Sequence, residues 1–137
     1  MIHRHDYSID GGRSVLFCVL GKGEGATPLD DSRAIIGTAT VVGMHTDRPC
    51  IVALHVEPVK RRIGLGAALV RSCIDEARRL SKRLVEVHVH GSNAHALAFY
   101  ARLGFTRRGL LPNGNVWMTY RIGRDTTQPL TNPTPTG

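Results

Sequence analysis

One stretch limits the fold of this chain more than any other. Cys50 to Glu57 is β-rich and is stopped by Pro58. A basic, glycine-containing loop follows and runs straight into Leu65 to Leu80, which the periodicity predicts as a helix. Leu65, Leu69, Ile74 and Ala77, with Ala68, Val70, Cys73 and Leu80, form a broad apolar stripe, and Arg71, Asp75, Arg78, Arg79 and Lys82 take the other side. Leu84 to His90 then alternates, with Val85, Val87 and Val89 against Glu86, His88 and His90. That pattern belongs to a strand with one face in the core and one face polar or functional.

The flanking segments extend this order. Ser14 to Leu20 is a short apolar run read as a strand, Gly21 to Ser32 reads as a loop, and Ala34 to Met44 is a second strand, with Gly37 and Gly43 as bulges or close approaches. Asp47-Arg48-Pro49 turns the chain. Ser92 or Asn93 caps a helix through Leu103, ended by Gly104. Phe105 to Leu111 and Asn115 to Arg121 pair across Pro112-Asn113-Gly114. The predicted order is β, β, β, α, β, α, β, β, an α/β (α+β) layer structure. Arg124 to Gly137 holds three Pro, five Thr and one apolar side chain, Leu130. Such a segment cannot offset its ordering entropy, so 124–137 is expected to be a disordered tail behind one domain, 1–123.

Composition removes other classes. The 137 residues suit one domain, and no apolar run approaches the roughly 18 residues of a membrane helix. Met1-Ile2-His3-Arg4-His5-Asp6 is too polar to open a secretory signal, which points to the cytoplasm and away from a membrane partner. Cys18, Cys50 and Cys73 are odd in number and widely spaced, against a zinc ribbon or a disulfide framework. The formal charge is +7, and Arg supplies fifteen of eighteen basic residues. Arginine's planar fork suits a phosphorylated partner, though an arginine-rich genome composition would give the same excess.

The loop before the helix carries the chemistry. Helix N-termini expose unpaired N–H groups and partial positive charge. Gly64 and Gly66 let a ligand approach those groups, and Arg61 and Arg62 add formal charge. The construction is a pyrophosphate cradle. It is neither a Walker A loop nor G-x-G-x-x-G, whose third glycine is missing. The bland alternative is a strand-to-helix turn with solvated arginines.

Arg61-x-x-Gly64-x-Gly66 resembles the (Gln/Arg)-x-x-Gly-x-(Gly/Ala) acetyl-CoA motif of the GNAT N-acetyltransferase superfamily. Leu54-His55-Val56-Glu57-Pro58 is similar to that family's L-x-V-x-P strand end. Asn93 to Phe105 resembles its N-x-x-A-x-x-F-Y-x-x-x-G-F helix. The likeness covers about Ala34 to Arg121. It implies a mixed, mostly antiparallel sheet flanked by helices, with the strands Cys50–Glu57 and Leu84–His90 splayed apart. It further implies acetyl-CoA as cosubstrate and a primary amine as acceptor, a small molecule or a protein amine. The pantetheine arm would pair near Val56, and the pyrophosphate would sit on N–H groups of Arg61, Arg62, Ile63, Gly64, Leu65, Gly66 and Ala67. Asn93 would contact the pantetheine, and Tyr100 would protonate the departing thiolate. A core aromatic is the plain alternative for Tyr100, and a non-catalytic acyl-CoA-binding module is the rival for the whole chain.

An ammonium acceptor needs a base, and His88, His55, Glu57 and Glu86 are the candidates, ranked close together. His88-x-His90 shares a strand face, but a zinc site needs a third ligand and none is identifiable, so no metal is expected. Few aromatics, none interleaved with a basic run, argue against a nucleic-acid partner. Trp117 suits the core or a substrate wall equally. A symmetric homodimer is the ordinary prior for a small enzyme. The typical family member opens with a strand and two helices that cover the acceptor. Here Ser8 to Ser32 shows no long amphipathic pattern, so the lid helices are expected to be reduced or replaced by a glycine-rich loop.

Overall fold

Alternating apolar and polar side chains along the strands put one face of a sheet against two helices. The computed structural model describes residues 2–9, 12–21, 34–57 and 64–123. Their elements are β1 (Ile2–Ile9), β2 (Gly12–Gly21), β3 (Ala34–Val42), β4 (Cys50–Ile51), β5 (His55–Val56), α1 (Leu65–Arg79), β6 (Leu84–Val89), α2 (Ala94–Leu103), β7 (Thr106–Leu110) and β8 (Val116–Arg121). The sheet runs β1-β2-β3-β4-β6-β8-β7, with β5 attached to β3 off this path. All pairings are antiparallel except β4 with β6. The expected tail, 124–137, lies outside the described residues.

The segment expected as one strand, Cys50–Glu57, is two. Val52 N–H donates to the Thr40 carbonyl at 2.9 Å, and Thr40 N–H donates to the Ala53 carbonyl at 3.2 Å. Two residues therefore oppose one, a bulge that bends the strand. β4 pairs with β6 through Cys50–Glu86 and Ile51–Val87. Past that point the chain follows β3, with Thr38 opposite His55 and Gly37 opposite Val56. The sheet is thus split between β5 and the end of β6.

Leu69, Val70, Cys73 and Ala77 of α1 are fully buried against a face that carries Val15, Ala39 and Val41. Gly37 makes the approach feasible, because a Cβ there would lie 3.1 Å from Leu69 and 3.3 Å from Leu65. α2 lies on the same face. A Cβ on Gly66 would stand 3.5 Å from Phe99 and 3.6 Å from Val56, and one on Gly104 would stand 3.1 Å from Tyr120. Truncation of Leu69 to Ala removes the middle of this interface and is expected to cost about 2–5 kcal/mol, read as a lower urea midpoint.

β1 is a strand that the apolar pattern did not announce. Its alternating partners are supplied by β2, from Ile2 opposite Val19 to Ile9 opposite Gly12. Arg4 on β1 reaches the nearly buried Glu76 of α1 at 2.8 Å, and Arg79 holds the same carboxylate from the helix, so a three-residue clasp ties the edge strand to the core. Only residues 10 and 11 separate Ile9 from Gly12, so no helix stands between the first two strands. Residues 22–33, which hold nearly all of the expected loop Gly21 to Ser32, lie outside the described residues.

Candidate active site

The split between β5 and β6 opens a cleft of about 500 Å³. β4, β5 and the bulge between them line one wall through Ile51, Val52, Leu54, His55 and Val56. The opposite wall is Val87, His88, Val89 and His90. The two helices close it with Gly66 from α1 and Asn93, His95, Ala96, Phe99 and Tyr100 at α2. Four of the chain's seven histidines therefore border one cavity.

At the cleft's α1 end, Gly64 begins the helix in the left-handed region, φ 79°, where glycine bears no Cβ penalty. Among the described residues no side chain caps this N-terminus, and none in its first turn is acidic. The first N–H groups of Leu65, Gly66 and Ala67 thus have no intrahelical acceptor, and no side-chain cap among the described residues, an arrangement that favours an anion. Arg61, Arg62 and Ile63 lie outside the described residues.

At the other helix, Asn93 spends its side-chain oxygen on the Ala96 N–H at 3.0 Å, so it caps α2 while bordering the cleft. Tyr100 is buried, with Phe99 and Phe105 edge-on at 5.1 and 5.2 Å, which fixes its ring. Burial pushes its hydroxyl up to about 12, with Cys73 and Cys50 adding smaller contributions. It therefore stays protonated at neutral pH, and it borders the cleft.

The candidate bases separate. Because Val85, Val87 and Val89 face the helices, Glu86 and His88 face the opposite side of the sheet. His88 is 37% exposed and borders the cleft. Glu86 is not on the solvated face that the alternation suggested. It is nearly buried, with Arg48 Nε 2.8 Å from one oxygen and His88 Nε2 3.3 Å from the other. His55 borders the cleft from β5, is exposed, and makes no side-chain hydrogen bond or ion pair with another described residue. Glu57 lies just past β5, its N–H donating to the Ile36 carbonyl at 2.8 Å, and does not line the cleft. His90 accepts the Ser92 N–H at 3.2 Å on Nδ1, a local turn contact. Trp117, opposite His88 on β8, is buried away from the cleft, with the Arg48 guanidinium 5.5 Å from its ring centre.

Arg48 is the residue that sequence reading placed only in a turn. Its partner is 38 positions away, so no local pattern marks it. Val52, Leu54 and His95 were also missed as cleft residues, since their positions depend on the bulge and on the angle of α2.

Residues 5–105 match the model of the Acetyltransferase (GNAT) family. Over 69 residues the chain is 38% identical to an uncharacterized N-acetyltransferase, MJ1207, of Methanocaldococcus jannaschii, covering 50% of this chain and 30% of that protein. Over 67 residues it is 34% identical to the [ribosomal protein bS18]-alanine N-acetyltransferase of Escherichia coli, covering 49% and 45%. The matches thus span less than half the length of these relatives. Among solved structures, a domain from Methanocaldococcus jannaschii superposes with TM-score 0.66 at 14% identity, over 80% of this chain and 67% of that one. The PaiA N-acetyltransferase of Thermoplasma acidophilum, in complex with coenzyme A, superposes with TM-score 0.60 at 16% identity, over 65% and 55%. These likenesses show the same fold.

Proposed function

From a chain that belongs to the acetyltransferase (GNAT) family, we propose an N-acetyltransferase that moves acetyl from acetyl-CoA to a primary amine by direct attack. The observation that carries the reading is the cleft in the split sheet, with an uncapped helix N-terminus at one end and a buried, protonated tyrosine on its wall. The coenzyme A bound to the Thermoplasma acidophilum relative supports the same ligand here. Pantetheine would lie between β5 and β6, along Val56 and Asn93. The pyrophosphate would rest on the start of α1, from Gly64 to Ala67, with Arg61, Arg62 and Ile63 completing the loop. When bound, acetyl-CoA supplies an activated thioester.

The chain's own residues then handle protons. Tyr100 donates to the sulfur as the C–S bond breaks, turning a poor leaving group into a thiol. The base that receives the acceptor's proton is drawn from His88, His55, Glu57 and Glu86. Burial pushes the Cys50 and Cys73 thiols up to about 12, with the Glu86 charge adding to the shift at Cys50, so neither offers a thiolate at neutral pH. That favours direct transfer over an acetyl-cysteine intermediate.

With no helices between β1 and β2, the acceptor side suits an amine on a large molecule, a protein N-terminus included. The same openness favours the second reading, an acyl-CoA-binding module without chemistry. No helix among the described residues is long and apolar enough to cross a membrane, and the reading places the protein in the cytoplasm with neither nucleic acid, membrane nor metal as partner. A homodimer is part of the proposal on general grounds. Thiol release from acetyl-CoA, measured against a panel of small amines and peptide N-termini, separates the readings. The enzyme releases CoA in proportion to the amine added, whereas the module binds CoA and releases none above the buffer rate.

A further inference from the structure

Glu86 presents an unusual arrangement: a nearly buried carboxylate bridging a cation and a histidine that borders the cleft. Arg48 Nε stands 2.8 Å from Oε1, and the Arg48 guanidinium lies over the Trp117 ring. His88 Nε2 stands 3.3 Å from Oε2. A carboxylate accepts and does not donate, so it selects the histidine tautomer with hydrogen on Nε2 and leaves the Nδ1 lone pair for a proton from outside. His55, across the cleft, has no such orienting partner among the described residues.

We propose that His88 is the general base and that Glu86, held by Arg48, is its positioning residue. This rests on the acetyltransferase reading. In that reaction His88 Nδ1 takes one proton from the acceptor ammonium and passes it to water. The freed amine nitrogen bonds to the thioester carbonyl carbon. The C–S bond breaks with its electron pair on sulfur, Tyr100 protonates that sulfur, and the second proton shed by the nitrogen restores Tyr100. Ammonium and acetyl-CoA become amide, CoA thiol and one released proton.

The test is a double-mutant cycle with purified protein, acetyl-CoA and the best amine from the panel. His88→Ala is expected to lower kcat about 100-fold and Glu86→Gln about tenfold, with the acetyl-CoA KM within about twofold in both. Because Glu86 acts only through His88, the double variant should be no slower than His88→Ala alone. Imidazole in the buffer should restore part of the activity of His88→Ala and of no Glu86 single variant. His88 is partly exposed, so its truncation leaves the fold intact even where Glu86→Gln fails, and the imidazole arm then carries the test. Wild-type kcat in His88→Ala overturns the assignment of the base and leaves the acetyltransferase reading standing. A Glu86→Gln loss that is equally large on the His88→Ala background overturns the positioning role, since a merely structural residue would behave so. Wild-type protein that binds CoA and transfers acetyl to no amine overturns both.

Discussion

Tyr100→Phe is expected to lower kcat by about 100- to 10,000-fold while leaving the acetyl-CoA KM within a few-fold. The substitution deletes one oxygen from a ring held edge-on by Phe99 and Phe105, and those contacts survive it. No side-chain hydrogen bond joins the Tyr100 hydroxyl to another described residue, so the melting temperature should stay at or slightly above the wild-type value. In the proposed reaction the hydroxyl is needed only as the C–S bond breaks, so the loss falls on kcat. The sign with pH also follows. Burial raises this phenol to about 12, so its protonated form persists through the neutral and mildly alkaline range. Wild-type kcat should therefore show no alkaline fall in that range, while the supply of neutral amine rises. Steady-state rates for the two proteins across pH check both points, and a Phe variant within threefold of wild type would remove Tyr100 from the chemistry.

Gly66→Val should close the proposed cofactor site. A Cβ at this position meets Phe99 at 3.5 Å and Val56 at 3.6 Å, which is ordinary contact, so Gly66→Ala is tolerated. Alanine also gains up to about 1 kcal/mol of helix propensity over glycine. Valine adds two branched methyls to a space already in contact on both sides, where the cleft narrows between α1, α2 and β5. Overpacking of this kind costs about 1–3 kcal/mol, which corresponds to about 5- to 150-fold in affinity where it falls on the bound state. Isothermal titration with CoA should find near-native affinity for Gly66→Ala and a large loss for Gly66→Val. Equal affinity in all three proteins would place the cofactor elsewhere.

The elements legible in the sequence were those whose burial is periodic. The α1 stripe and the valines of β6 face the core as their spacing requires, and Asn93 and Gly104 bound α2 where their cap chemistry places them. β1 was not legible, because His3, Arg4, His5 and Asp6 carry no apolar alternation, and its structure comes from pairing with β2 and from the Arg4–Glu76 clasp. Cys50–Glu57 read as one strand because a bulge leaves no mark in composition; only Thr40, on another strand, reveals it. In the site, the residues set by motif, Val56, Gly66, Asn93 and Tyr100, meet at one cleft. Glu86 was read on a polar face and is instead buried, since alternation reports a side chain's direction and not what covers it. Its cover, Arg48, arrives from a turn distant in sequence.

Whether the split sheet holds CoA, as proposed, is decided by a thermal-shift titration with acetyl-CoA, CoA and ATP. Saturation at about 100 times the dissociation constant stabilises the native state by about 2.7 kcal/mol, or about 8–13 °C for a domain of this size. That shift is expected with acetyl-CoA and with CoA, and none with ATP at the same concentration. Unchanged melting with all three, or equal shifts with ATP, would contradict it.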